Sequence, residues 1–519
     1  MLYFCSLKLI MYVTRMQKSV IEYLVHTAAK HPQKTAVQDT TGSITFTELL
    51  RSAFVLADAI RAQHLWRSPI GVYIPKGCAM VQACAGNNMS GNFYVPLDTK
   101  SPDTRISSIL NVLESEAVVT DKAHEQQVRG MFDKEVFVLE EVLANQPQAD
   151  ANAETYLADQ IDTDPVYSIF TSGSTGTPKG VVIAHRGVID YIDWAVNQFG
   201  VTSEAVIGNQ APFYFDNSTL DIYLMYATGA TLNIIPESYF SFPAQLVDYM
   251  NEYRITFVFW VPFALINVAN FDILKDKKPQ YLKDVLFAGE VMPNKHLNYW
   301  RRHLPHCRYA NLYGPTEITV DCTFYEVDRE FADDEPLPIG IECRNSDVLI
   351  LVDQQREAAV GEEGELCVRG SSLALGYYND WEKTRNAFIQ NPLNKHYPEM
   401  IYCTGDIVYK NERGEIMYVG RKDSQIKHNG YRIELGEIEN AVLASKMVDN
   451  CCAVYDFNNK KIVLYYQAPE ELNLSAFRKA VSDKIPRYMI PSAYYREETL
   501  RQNSSGKIDR SYYKKLING

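Results

Sequence analysis

Several absences narrow the reading of this chain first. Apolar residues 1–13 fall short of the roughly 20 residues needed to span a bilayer. They also lack the basic start and small-residue cleavage site of a secretory signal. Met11 and Met16 follow closely, so residues 1–15 read as an over-extended start or a short disordered tail. No integral membrane segment is expected, and the protein is expected in the cytoplasm. The ten cysteines contain no CxxC and one adjacent pair, Cys451–Cys452, which points to reduced thiols rather than a disulfide framework. His303, His306 and Cys307 lie close together without a second ligand cluster, so no metal site is expected there. A basic excess is missing too: 51 Lys and Arg face 64 Asp and Glu, a formal net charge of −13. That balance excludes a general nucleic-acid grip. It leaves a nucleotide open, which needs only local donors. No internal repeat or low-complexity tract is present.

At 519 residues the chain is too long for one hydrophobic core, so two or more domains are expected. Its 46% hydrophobic and 22% charged residues are those of an ordinary globular protein. Residues 36–50 read as strand, Gly turn, strand and helix start. Thr45 and Glu48 have capping-box spacing, with Leu49, Ala53, Leu56 and Ile60 at helical intervals. Residues 70–74 form a short apolar strand followed by a helix through 79–85. The Asn-, Gln-, Ala- and Asp-rich stretch 145–164 reads as a surface connection. Strands and helices then alternate to about residue 330, the pattern of an α/β domain built on stacked sheets. Short strands and Gly turns over 338–420 predict a β-rich subdomain. Beyond it, 434–444, 452–455, 462–467 and 474–484 read as helix, strand, strand and helix. The predicted fold is α/β: a large N-terminal domain of stacked sheets with helices at 16–422, including the β-rich subdomain, and a small α+β C-terminal domain at 423–519.

The most specific local feature is Thr171-Ser-Gly-Ser-Thr-Gly-Thr-Pro-Lys-Gly180, between apolar strands at 167–170 and 181–183. Gly173, Gly176 and Gly180 permit backbone angles closed to other residues, so several N–H groups can converge on one anion. Ser172, Ser174 and Thr175 add hydroxyl donors, and Lys179 adds a cation for phosphate oxygens. Because Lys179 precedes Gly rather than Ser or Thr, and the loop joins two strands, this is not a P-loop.

This loop closely resembles the signature of the adenylate-forming superfamily: acyl-CoA synthetases, luciferases and the adenylation domains of peptide synthetases. The resemblance runs from about residue 20 to residue 515. It implies an enzyme that uses ATP and Mg2+ to activate a carboxylic acid as its acyl-adenylate, with residues 171–180 gripping the β- and γ-phosphates. Asn311-Leu-Tyr-Gly-Pro-Thr-Glu317 resembles the second core motif. There the Gly314 turn would present Tyr313 as a flat face for adenine and set Thr316 and Glu317 near the α-phosphate. By resemblance Glu317 is the Mg2+ ligand; this cation keeps several waters and needs few carboxylates. The metal would offset charge on the α-phosphate during attack. Tyr402-Cys-Thr-Gly-Asp406 resembles the ribose segment, in which Asp406 accepts from both hydroxyls and Arg421 is the second contact. Ala288-Gly289-Glu290 corresponds to a strand end beside adenine.

By composition Asn503-Ser-Ser-Gly-Lys507 is a solvated polar loop. Gly506-Lys507-Ile-Asp-Arg510 nevertheless matches the catalytic-lysine motif, whose cation bridges the attacking carboxylate and the α-phosphate. Gly420-Arg-Lys-Asp-Ser-Gln-Ile-Lys-His-Asn-Gly-Tyr-Arg-Ile-Glu-Leu-Gly-Glu-Ile-Glu439 resembles the hinge segment, with Asp423 at the hinge and the domain boundary near residue 422. The resemblance implies that the small domain is mobile: Lys507 enters for adenylation, and the turn from Lys427 to Gly430 enters for thioester formation. Gly430 would leave room for a pantetheine arm.

Within Phe215-Asp-Asn-Ser218, Asp216 matches the position where peptide-synthetase enzymes hold a substrate α-ammonium. The remaining pocket positions carried over are Asn217, Leu220, Phe259, Leu286, Ala288, Leu312, Val320 and Asp321. Mostly bulky and apolar, they favour a small side chain, while Asp321 could read a hydroxyl or amine. The expected acceptor is the phosphopantetheine thiol of a separate carrier protein, because no carrier segment follows Lys507. Phe287-Ala-Gly-Glu-Val-Met-Pro293 resembles the D-alanine–carrier ligases, which makes D-alanine the leading substrate. Ala288 departs from that subgroup, where Cys is usual. Two other readings stay open: an acyl- or aryl-CoA ligase for an acid without an amino group, and a non-catalytic binding protein of the same fold.

Overall fold

The computed structural model describes residues 17–145, 152–173, 178–502 and 508–519. Its N-terminal part is built on two sheets whose central strands are parallel. In the seven-stranded sheet the order is Gly376–Tyr377, Lys179–Ala184, Pro165–Thr171, Phe93–Pro96, Pro69–Tyr73, Ala117–Thr120 and Glu135–Val138. The nine-stranded sheet runs Ile341–Glu342, Thr323–Glu326, Arg308–Tyr313, Asp284–Phe287, Phe257–Trp260, Val206–Asn209, Thr231–Ile234, Thr35–Asp39 and Gly42–Thr45. Central strands such as Phe257–Trp260 and Pro69–Tyr73 are buried at every residue. Apolar runs without alternation are what a parallel sheet covered on both faces requires. One core, drawing on both sheets, packs between them, and a second lies under helices on the other face of the nine-stranded sheet.

The expected start is present: Thr45 caps helix Phe46–Ala62, with Glu48 completing the reciprocal capping box. Strand Pro69–Tyr73 leads into helix Cys78–Ser90. The stretch 145–164 is more than a surface connection. Helix Ala153–Leu157 buries Tyr156 and Leu157, and buried Gln160 donates to the Asn88 carbonyl at 3.0 Å. Its polar composition hid two apolar anchors. The six-stranded sheet of residues 346–421 is antiparallel and supplies the predicted β-rich part.

From residue 425 onward the chain has its own core, centred on Ile433, Ile438, Leu464 and Phe477. Strands Gln425–His428 and Tyr431–Glu434 form a hairpin across Asn429 and Gly430, at φ +52° and +83°. An Asn-Gly pair in this region is the usual composition of a tight hairpin turn. A three-stranded sheet of Asn450–Asp456, Lys461–Gln467 and Ala493–Glu497 carries helices Leu435–Leu443 and Arg510–Asn518. Among the described residues no helix is long and apolar enough to cross a membrane.

This C-terminal part is docked on the rest of the chain. Half-buried Arg105 pairs with buried Glu437, the Thr104 hydroxyl donates to the Asp483 carbonyl at 2.9 Å, and Tyr431 packs edge-on against Phe215 at 4.8 Å. A buried carboxylate stripped of its partner costs about 3–5 kcal/mol. Arg105→Met is therefore expected to weaken docking by at most that amount. Hydrogen–deuterium exchange should show faster labelling in 103–113 and 435–443, while the remote strand Phe257–Trp260 stays protected.

Candidate active site

Three elements converge on Glu317, a side chain with 0% exposure. It lies in the short helical turn Thr316–Ile318, just past the strand Arg308–Tyr313. Its Oε1 accepts from Lys179 Nζ at 3.3 Å and from the Tyr377 hydroxyl at 2.8 Å; its Oε2 accepts from Arg432 Nη1 at 2.6 Å. Burial opposes its ionisation. The charges of Arg432 and Lys179, with hydrogen bonds from Arg432 and Tyr377, outweigh that and hold the carboxyl well below the usual carboxylate range. Lys179 also lies 4.7 Å over the Tyr377 ring. Glu317 thus offers ionised hard oxygens of the kind Mg2+ prefers, provided Arg432 gives up its place.

Beside it, Asp406 lies 5% exposed at the end of a bulge in the strand Met400–Lys410. Its carboxylate accepts from the Tyr313 hydroxyl and, at 2.9 Å, from Arg421 Nη1. Arg421 grips Asp423 through Nε at 2.7 Å and Nη2 at 2.6 Å, which ties the proposed hinge residue to the ribose-type carboxylate. Tyr313 is buried, with Lys427 Nζ 5.9 Å above its ring. Asn311 donates to the Pro338 carbonyl at 2.8 Å and holds the motif strand in place.

The turn from Lys427 to Gly430 reaches this same region. The Gly430 N–H donates to Glu290 Oε1 at 2.9 Å, and a Cβ on Gly430 would come within 2.9 Å of Val261. Ser172, at the start of the phosphate-type loop, donates to the Arg432 carbonyl at 2.7 Å and accepts from the Glu434 N–H at 3.1 Å. The hairpin therefore bridges the loop, Glu317 and Glu290. Thr171 Oγ1 is buried without a hydrogen-bond partner among the described residues. Ser174, Thr175, Gly176 and Lys507 lie outside the described residues.

Asp216 stands just before helix Asn217–Thr228, yet its side chain makes no capping bond. Burial raises its pKa, and Thr316, Lys427 and Arg432 pull the other way. Leu220, Phe259, Leu286, Ala288, Leu312 and Val320 are all buried, and Gly289 adopts φ +96° at the strand end. Asn217 Nδ2 is buried with no partner among the described residues. Asp321 accepts from the Tyr191 hydroxyl at 2.6 Å. Burial, with the Asp216 charge, pushes its pKa up to about 7 despite that bond. Thr319 and Val320, both β-branched, sit at φ +57° and +73°. Strain of this kind persists only where the surroundings impose it. Here the segment 319–321 folds tightly over Gly314, on which a Cβ would stand 2.2 Å from the Val320 carbonyl oxygen.

Arg432, Tyr377 and Tyr191 were not expected from the sequence. Arg432 lies inside the hinge-type motif and could have been found there. Tyr377 and Tyr191 come from a separate edge strand and a helix, and carry no local signal.

Together the fold and this carboxylate–lysine–arginine centre define an adenylate-forming ligase. Residues 24–378 match the model of the AMP-binding enzyme family, so the chain belongs to that family. It is 31% identical to the D-alanine–D-alanyl carrier protein ligase of Staphylococcus aureus (strain bovine RF122 / ET3-1), across 96% of this chain and 99% of that one. It is 30% identical to tyrocidine synthase 1 of Brevibacillus parabrevis across 95% of this chain, but spans 44% of that protein. The crystal structure of the Vibrio cholerae adenylation domain AlmE in complex with glycyl-adenosine-5'-phosphate shares the fold. Its TM-score is 0.83 at 20% identity, covering 97% of this chain and 98% of that one.

Gly314→Ala is expected to displace the 319–321 segment and cut pyrophosphate exchange at least tenfold, with far-UV circular dichroism unchanged. Asp321 holds its proton more tightly folded than unfolded, so it costs stability progressively between its ordinary value and about pH 7. Asp321→Asn should therefore melt higher than the parent at pH 8, by no more than about 4 kcal/mol of stability, and the gap should close toward pH 4.

Proposed function

We propose that the protein activates an amino acid as its aminoacyl-adenylate, releasing pyrophosphate, and transfers the aminoacyl group to the phosphopantetheine thiol of a separate carrier protein. The observation that carries this reading is the convergence of Lys179, Glu317 and Asp406 with a half-buried Asp216 that makes no capping bond. These groups suit phosphate, metal, ribose and α-ammonium respectively. Glu317 would hold Mg2+, which when bound offsets negative charge on the phosphates. Lys507 would meet the α-phosphate, and residues 171–176 with Lys179 would hold the outer phosphates. Backbone and side chain at Gly289, Glu290, Asn311, Tyr313 and Gly314 would enclose the adenine.

In this reading the protein is a large domain at 16–422 and a lid at 423–519, hinged at Asp423. With Gly430 on Glu290 and Arg432 on Glu317, the arrangement corresponds to the thiol-transfer state. Arg432 then supplies, at the same carboxylate, positive charge that the metal supplies during adenylation. Gly430 would leave room there for a pantetheine arm, since any side chain in its place would meet Val261.

D-alanine remains the leading substrate, supported by the likeness to the staphylococcal ligase and by the largely apolar pocket. Ala288 and Asp321 favour a second reading, an amino acid with a hydroxyl or amine on its side chain. The Asp321–Tyr191 pair would face that group.

ATP–pyrophosphate exchange over a panel of amino acids, both alanine enantiomers and plain carboxylic acids tests all of this. Exchange with one or a few amino acids is expected. Exchange only with aliphatic or aromatic acids would sink the amino-acid reading, and no exchange with any acid would leave a binding protein. Asp216→Asn should raise the KM for the amino acid about 10- to 150-fold with the KM for ATP unchanged, the loss of a charge-assisted hydrogen bond of about 1.5–3 kcal/mol.

A further inference from the structure

Two cysteines that the chemistry above does not use face each other at the ribose-type bulge. Cys367 on strand Gly364–Gly370 pairs directly with Cys403 on the antiparallel strand Met400–Lys410, and their sulfurs are 3.5 Å apart. Directly opposed antiparallel residues have Cα atoms about 4.5–5.5 Å apart, inside the window a disulfide requires. Cys367 is fully buried, and Cys403 is partly exposed. The sequence-adjacent pair Cys451 and Cys452 is no rival, because successive strand residues point to opposite faces and these two join different cores.

Both sulfurs and an oxygen of Glu365 lie within 4.8 Å of one another, a grouping that could also hold a cation. Glu365 is already committed, however. Its Oε1 accepts from the Gly405 N–H at 3.0 Å and its Oε2 pairs with Lys422 Nζ at 2.7 Å. A metal would have to displace that ammonium. An accessible thiol that accepts from a second, buried thiol is instead the setting of a redox-sensitive cysteine.

We propose that Cys367 and Cys403 are a reversible oxidation site whose disulfide weakens nucleotide binding through the bulge at Asp406. The accessible Cys403 is the attacking group: it accepts from the S–H of Cys367, which favours its thiolate against burial and the Glu365 charge, with Lys422 a smaller help, whereas Cys367 holds its proton. The Cys403 thiolate attacks one oxygen of hydrogen peroxide; the O–O bond breaks and hydroxide leaves, to be protonated to water. The Cys367 thiol then loses its proton and attacks the Cys403 sulfenic sulfur. An S–S bond forms, the S–O bond breaks, and the departing hydroxide takes up the proton as a second water. Two thiols lose two electrons, and one peroxide becomes two waters.

The link between this bond and the site is mechanical. Three residues, Thr404, Gly405 and Asp406, bulge opposite the single Leu366, and Cys403 is the last paired residue before them. Thr404 Oγ1 donates to the Leu366 carbonyl at 2.8 Å, and the Lys422 N–H donates to the Gly405 carbonyl at 3.0 Å. Gly405 has φ +76°, and a Cβ there would stand 2.9 Å from Arg421 Nη2. Closing the sulfurs from 3.5 Å to a bond of about 2.05 Å draws Cys403 toward its partner strand. Those bonds tie Cys403 to the bulge, so strain at the new bond passes to Asp406 and its Arg421–Asp423 clamp. Weakening one charge-assisted hydrogen bond to a ligand costs about tenfold or more in affinity.

The effect on nucleotide rests on the proposed function, whereas bond formation does not. The full-length reduced protein is treated with hydrogen peroxide and then with dithiothreitol. Intact mass and peptide mapping follow the thiols, and calorimetry measures AMP affinity. The expected result is the loss of two hydrogens, mapped to peptides holding Cys367 and Cys403, with AMP affinity falling about tenfold or more. Dithiothreitol should reverse both. Cys367→Ala should bind AMP like the reduced parent and form no link, while Cys403→Ser gives a second chain in which the link cannot form. Oxidation of Cys403 to sulfinic acid without a link, or protection of both thiols by one bound zinc ion, would overturn the proposal. A link that leaves AMP affinity unchanged would overturn its second half. Failure of the reduced protein to bind AMP at all would instead count against the nucleotide reading.

Discussion

A carboxylate with no access to water organises this structure. Glu317 is ionised in a place where an unpaired charge would cost several kcal/mol. It is tolerated because Lys179, Tyr377 and Arg432 reach it together. Each of the three comes from a different part of the chain: the second strand of the phosphate-type loop, an edge strand of the same sheet, and the C-terminal hairpin. Satisfying one charge thereby sets the relative positions of all three. Ser172 adds a second tie between the loop and the same hairpin.

The donors that satisfy these carboxylates stand where ligands of the proposed reaction would stand. Arg432 occupies an oxygen of Glu317, and the Tyr313 hydroxyl with Arg421 occupies Asp406. Under the proposed function, metal and ribose replace these contacts rather than enter empty space. A hinge that carries Arg432 away also frees Glu317. Exchange of one positive partner for another keeps a buried charge compensated on both sides of the cycle, and the desolvation cost of an uncompensated carboxylate explains why such an exchange is built from cations.

Much of the fold was legible in local pattern. Thr45 and Glu48 announced a helix start because a capping box is a four-residue affair. The turn from Lys427 to Gly430, known beforehand only through the family resemblance, carries two successive positive φ angles at Asn429 and Gly430. The polar stretch 145–164 misled, since Tyr156 reaches Asp58 and packs on Phe54 while Gln160 reaches Asn88, all far away in sequence. The hairpin at 425–434 was recognised as a motif but not as the element that holds Glu317. The aromatic donors Tyr191 and Tyr377 were invisible: a tyrosine in a helix or an edge strand looks the same whether it packs in a core or serves a carboxylate.

From the sequence alone came the adenylate-forming chemistry, because phosphate, ribose and metal recognition each depend on short, contiguous runs with glycine and hydroxyls in fixed order. The alternation of apolar strands and amphipathic helices likewise settled the α/β class. Tertiary structure alone decided which charges meet. Arg432 reached Glu317, Asp321 acquired Tyr191 and a raised pKa, and Cys367 met Cys403 across 36 residues of chain. Electrostatic and thiol pairings act over a few ångströms in space, and sequence separation carries no record of that distance.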